Sequence, residues 1–260
     1  MGVPGQKNTP QPPEELANSE LFAVDAYRRS FDSTVLDVDH EQNRVALART
    51  AFYPGGGGQP HDLGELRWDG GTAQVTKVKR EADRIWHWLD TPEPPRSGIE
   101  VFGDIDWDRR HLLMRTHTAL HILCGVIWSE YQIAVTGGNM EPGKGRLDFP
   151  LEGISTELGQ RVERRINEEV ERAREVVVDF MGRSEADLDP ALIRTAANLI
   201  PKEIDPLRVI DIVGLDKVNG GTHVTSTADV GRVAVTGTSS KGKGNKRIRL
   251  EVSQYSSAVS

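Results

Sequence analysis

The chain has 260 residues, 37% of them hydrophobic, a formal net charge of −7 and one cysteine, Cys124. That is enough for one large domain or two of ordinary size, with no apolar run near the ~18 residues of a membrane span and no secretory signal pattern at the N-terminus. The acidic balance excludes a protein that coats nucleic acid non-specifically, though not a local basic patch, and the lone cysteine excludes an internal disulfide and fits a reducing cytosol.

Residues 1–18, with Pro4, Pro10, Pro12 and Pro13 among polar neighbours, read as a disordered tail. From 19 to 105 the pattern is β. Residues 33–40 and 43–50 alternate apolar and polar around a polar turn, and 64–68, 71–79 and 84–89 continue it. Short strands without long helices between them predict a small antiparallel barrel or sandwich. Asp106 or Asp108 then caps a helix over 109–128. The stretch 135–138 reads as a turn and 145–149 as a short strand. Leu158, Val162, Ile166 and Val170 recur every fourth residue, which predicts an amphipathic helix over 156–174. A strand at 175–180, short helices at 184–188 and 191–199, a strand at 207–213 and a hairpin of 230–238 with 247–253 complete an α+β half, a sheet with helices on one side.

Four stretches carry chemistry. His117 and His121 stand four apart on the first long helix, about 6 Å along its axis, so both imidazoles share a face from which they can grip one ion. The alternative is a polar patch or two satisfied core residues. His223, after the turn Gly220-Gly221, is a third imidazole that would give a site with open positions, or else a surface loop residue. The run Gly55–Gly58 before Gln59 is either a tight connection with positive φ or a loop whose bare backbone meets a ligand, with Thr50 and Gln59 offering hydrogen bonds. It is not a phosphate-binding P-loop, because no Gly-Lys-Ser/Thr follows. Lys241, Lys243, Lys246, Arg247 and Arg249 form a basic window without acids, a solvated hairpin tip or a phosphate contact. Cys124 is read as core.

Together, residues 117–121 (His-Thr-Ala-Leu-His), 220–224 (Gly-Gly-Thr-His-Val) and 52–60 (Phe-Tyr-Pro-Gly-Gly-Gly-Gly-Gln-Pro) resemble the alanyl-tRNA editing protein family, AlaX, free-standing relatives of the editing domain of alanyl-tRNA synthetase. Residues 146–149 and 243–249 resemble further blocks of it, and the likeness runs from about Thr34 to Val252. It implies an α+β fold: an N-terminal antiparallel β-barrel with the Gly-rich loop (19–105), then a two-layer editing domain (106–255), an antiparallel sheet with helices on one side.

The implied activity is a cytoplasmic, trans-acting deacylase that hydrolyses seryl or glycyl esters of tRNA for alanine, with tRNA as its partner and no protein partner or membrane. In such proteins a His-x-x-x-His pair and a Cys-x-x-x-His pair hold one zinc. His117, His121 and His223 match; the cysteine's place is taken by Asn219, a poor zinc ligand. Zinc held by three imidazoles and water, a weaker or substituted ion, or a tRNA-binding relative without activity each follow from that change. A deacylase for another small acyl group is a further reading. Thr50, Gly57, Gly58 and Gln59 fall where the family faces its substrate, and Lys241, Lys243, Lys246 and Arg247 where the acceptor end of the tRNA would lie. No general base stands out.

Overall fold

The structure, a computed structural model, describes residues 12–151, 156–188, 192, 205–240 and 244–253. It opens with two short helices, α1 (Glu14–Ser19) and α2 (Leu21–Val24). α1 occupies residues whose composition points to a tail. Pro13 is held at φ −50° just before it, and Glu14 and Glu15 put negative charge on the turn whose amides lack partners. α2 turns Phe22 and Ala23 onto Tyr53.

Six strands follow: β1 (Ser30–Asp39), β2 (Arg44–Leu47), β3 (Gly64–Trp68), β4 (Gly71–Glu81), β5 (Arg84–Leu89) and β6 (Glu100–Ile105). They close into a barrel in the order β1-β2-β5-β4-β3-β6, every pair antiparallel. The alternation of the sequence sends Phe31, Val35, Val45, Leu66, Val75, Val78, Leu89 and Val101 into one core. Irregularities between Val35 and Asp37 and between Val75 and Lys77 bend the long strands, as closure requires. β6 was not among the expected strands, yet it seals the barrel by pairing with both β1 and β3. Gly103 within it permits this, because a Cβ there would lie 2.5 Å from the Phe31 ring.

Helix α3 (Trp107–Tyr131) leaves the barrel directly. Asp106 caps it, accepting from the Arg109 backbone N–H at 3.1 Å. It ends where Gln132 turns left-handed, at φ 54°. Next come β7 (Gly137–Glu141), β8 (Lys144–Phe149), α4 (Thr156–Glu171), β9 (Val176–Met181), α5 (Arg183–Ala186), β10 (Leu207–Ile212), β11 (Asp216–Asn219), a 3₁₀ turn (Thr227–Val230), β12 (Val233–Ser240) and β13 (Lys246–Val252). The strands form two antiparallel sheets, β12-β13-β8-β7 and β11-β10-β9, where one sheet was expected. β7 takes up the last two residues of the expected turn at 135–138, and a Cβ on Gly138 would push on the Leu147 side chain at 2.8 Å. The helix expected at 191–199 lies outside the described residues.

α3 is the axis of this second unit. Leu113, Leu120, Leu123, Val126 and Ile127 bury against Val162 and Ile166 of α4, Leu147 and Phe149 of β8, Ile248 and Leu250 of β13, and Ile210 and Ile212 of β10. Each such side chain contributes about 1.5–3 kcal/mol by leaving water. Cys124 belongs to this core. Among the described residues no helix is long and apolar enough to cross a membrane.

One buried ion pair joins the barrel to α3. Arg110 and Asp62 are 0% and 1% exposed. The Arg110 Nε donates to both Asp62 oxygens (2.9 and 3.0 Å), Nη1 to the Ala26 carbonyl (2.9 Å), and Nη2 to the Ala51 carbonyl (2.6 Å) and Asp62 Oδ2. Asp62 also accepts from the Tyr53 backbone N–H at 2.6 Å, so both ends of the Gly-rich loop are tied to the helix that carries the histidine pair.

Candidate metal centre

α3 presents His117 and His121 one turn apart, with ring centroids separated by 4.9 Å. His223 reaches the same point from the segment after β11. Gly220 and Gly221 there have φ of 84° and 76°, a left-handed pair that reverses the chain within two residues. Its ring centroid lies 4.4 Å from that of His117 and 5.4 Å from that of His121. One nitrogen from each ring falls within 4.8 Å of the others.

Each Nδ1 is engaged by a separate partner. His117 Nδ1 bonds Gln59 Oε1 at 2.9 Å, His121 Nδ1 bonds Asp216 Oδ2 at 3.1 Å, and His223 Nδ1 bonds the Thr118 hydroxyl at 3.2 Å. An amide or carboxylate oxygen only accepts, so the His117 and His121 rings both donate from Nδ1. The Thr118 hydroxyl donates to the Met114 carbonyl at 2.9 Å, which leaves its oxygen to accept from His223 Nδ1 in turn. Against this, His223 Nε2 lies 3.3 Å from the Gly220 carbonyl, which favours the other tautomer.

Burial, the neighbouring imidazoles and the charge of Arg208 hold His117 and His223 well below the ordinary histidine range, so both rings are neutral at pH 7. Neutral at pH 7 and donating from Nδ1 to Gln59, His117 keeps a free Nε2 lone pair, and a cluster of three imidazoles suits a divalent ion of the zinc type. His117 and His223 are 4% and 5% exposed, while the His121 side chain is 19% exposed and marks the open side.

Gln59 arrives on a tight hairpin. Gly56 and Gln59 exchange both backbone hydrogen bonds, at 3.0 and 2.9 Å, around Gly57 and Gly58 at φ 57° and 84°. A two-residue turn with both φ positive is what the glycine run supplies. Gly57 and Gly58 are its exposed tip, and Gln59 is buried. The structure therefore brings Gln59 to the histidines.

Thr50 bonds other groups. It is 2% exposed, its hydroxyl bonds His87 Nε2 at 2.9 Å, and its oxygen accepts from the Phe52 N–H at 3.1 Å. Asn219 ends β11 opposite Val209, and its side chain is outside the described set. Lys241 and Lys243 are also outside it. Arg247 is clamped by Asp148 at 2.7 and 2.9 Å, and Lys246 reaches the Ser240 hydroxyl at 3.2 Å.

Asp216, Thr118, Thr222 and Arg208 were not singled out from the sequence. Asp216 lies 95 residues from its imidazole and has no spacing to betray it. Thr118 lies inside the histidine motif but carries no signal that separates it from a core threonine. Arg208 bridges the carbonyls of Ala23 (2.6 Å) and Gly221 (2.8 Å), and burial pushes it down to about 10, still cationic at pH 7.

Comparison with known sequences gives this arrangement a context. Residues 17–109 match the family described as class II (A) tRNA synthetases, and residues 207–249 match the second additional domain of threonyl- and alanyl-tRNA synthetases. The chain is 36% identical over 236 residues to alanyl-tRNA editing protein AlaX-M of Saccharolobus solfataricus, covering 90% of this chain and 98% of that protein. It is 33% identical over 234 residues to AlaX-M of Methanosarcina barkeri, covering 88% and 96%. It is also 36% identical over 225 residues to the alanine–tRNA ligase of Pyrobaculum arsenaticum, of which it spans 25%. Likeness along nearly the whole length of the free-standing proteins, against a quarter of the ligase, places the chain in the alanyl-tRNA editing protein family.

Proposed function

We propose that the protein is a trans-acting, cytosolic deacylase that hydrolyses the ester of serine or glycine wrongly attached to tRNA for alanine. The observation that carries this reading is the convergence of three oriented imidazoles, two of them held neutral by burial, within 4.8 Å, in a chain whose full-length relatives are named alanyl-tRNA editing proteins. His117, His121 and His223 would hold the ion, which is zinc or a weaker-bound substitute because Asn219 offers no thiolate. A bound divalent ion polarises an ester carbonyl or lowers the pKa of water.

The chain's own groups orient and select. Gln59, Asp216 and Thr118 fix the rings, and the open side at His121 admits the aminoacyl end. Arg208, whose charge reaches His117 and His223, favours negative charge developing on the ester oxygen. Lys241, Lys243, Lys246 and Arg247 are assigned to the phosphates of the acceptor end. Deacylation of seryl-, glycyl- and alanyl-tRNA tests the reading. Hydrolysis of the first two, removed by a chelator, is expected; hydrolysis of none would favour the tRNA-binding reading that the loss of the cysteine suggests.

A further inference from the structure

We infer that Gln59 is a positioning residue: the barrel's hairpin inserts it to lock His117 in the Nδ1–H tautomer that frees Nε2 for a metal. This rests on the proposed metal site but concerns a different property, the protonation pattern of one ring.

The amide cannot be turned round. Its Oε1 accepts from the Thr222 backbone N–H at 2.9 Å, and its Nε2 donates to the Thr222 hydroxyl at 2.8 Å. A flipped amide would set NH₂ against N–H. Thr222 is itself 0% exposed, so no water can substitute. With the amide fixed, Oε1 faces His117 Nδ1 at 2.9 Å and can only accept. The ring cannot slide away, because it lies against the backbone of Gly221, where any Cβ would overlap its Cε1 and Nδ1. Gln59 is held in turn by the paired hairpin, by the Tyr53 hydroxyl donating to the Gly56 carbonyl at 3.1 Å, and by Asp62. A residue first read as facing the substrate thus has its amide oxygen taken by two protein donors and acts through His117. The barrel becomes part of the site across 58 residues of sequence.

Long-range ¹⁵N–¹H correlation spectra of the metal-free, full-length protein at pH 7.5 report the tautomer, with the His117 signals identified by their loss in His117→Gln. Zinc affinity is measured in parallel by competition with a chromophoric chelator. The expected result is Nδ1–H for His117 in the wild type, a shift to mainly Nε2–H in Gln59→Leu, and a zinc affinity about 10–100-fold lower in that variant. Gln59→Glu, which keeps the acceptor, should restore both. Should Gln59→Leu not fold, the near-isosteric Gln59→Met, which likewise removes the acceptor, is expected to give the same shift. Nε2–H in the wild type, or a tautomer unchanged in Gln59→Leu, overturns the inference. Absence of zinc binding by the wild type would overturn the proposed function instead, while the tautomer measurement still decides the role of Gln59.

Discussion

Replacing Asp62 by Ala tests the junction between the barrel and α3. The carboxylate is 1% exposed and takes hydrogen bonds from the Arg110 guanidinium and the Tyr53 backbone N–H. Without it, a fully buried guanidinium keeps only the Ala26 and Ala51 carbonyls as partners, and the Tyr53 N–H has none. Breaking one side of a buried pair costs about 3–5 kcal/mol, because the charge left behind is uncompensated. The orphaned N–H would cost about 1–3 kcal/mol alone, but the two losses share one group and do not add. The expected destabilisation is therefore about 4 kcal/mol, read as the shift of the urea midpoint at constant slope by tryptophan fluorescence and circular dichroism. The double variant Asp62→Leu/Arg110→Met removes both charges and should be more stable than Asp62→Ala, since desolvating the pair offsets much of its attraction. A loss below about 1 kcal/mol for Asp62→Ala, within the range of an exposed pair, would refute the buried-pair reasoning.

His87 is fully buried, and desolvation lowers its pKa to about 4. Between the unfolded value near 6.5 and that figure the unfolded chain binds the proton and the folded chain does not, so stability falls as pH drops through this window, by at most about 3 kcal/mol. Urea titrations at pH 7 and 4.5 should show a smaller loss in His87→Gln than in the wild type; equal losses would exclude it. Thr50→Val leaves His87 Nε2 without its hydroxyl donor, so a loss of about 1–2 kcal/mol and equal effects on seryl- and glycyl-tRNA are expected. Selective damage to seryl-tRNA hydrolysis would return Thr50 to the substrate pocket. Asn219→Cys should tighten zinc at least tenfold by supplying the thiolate; equal affinities would show that three imidazoles suffice.

Where local periodicity decides structure, the sequence is readable. Alternation marks five barrel strands, and Leu158, Val162, Ile166 and Val170 mark α4. β7 escaped because Gly137 and Gly138 read as a turn, and β6 was not singled out; Gly103 and Gly138 lie against Phe31 and Leu147. The same divide runs through the site. His117 and His121 show themselves by helical spacing and His223 by its glycine turn, but the groups that orient them come from 58 and 95 residues away, or from a hydroxyl indistinguishable from a core threonine. Gln59 was visible as unusual, but its partners were not. Thr50 and Gln59 look alike in the sequence, and only the hairpin's geometry sends one to the histidines and leaves the other bonded to His87.

Titrating chelator-stripped protein with zinc, while following seryl-tRNA deacylation and bound metal in one sample, shows whether these three imidazoles hold the ion that the hydrolysis requires. Activity should rise in proportion to bound zinc, saturate at about one ion per chain and be absent, together with the bound ion, in His223→Ala. Full activity in the stripped protein, or stoichiometric zinc in His223→Ala, would contradict that role.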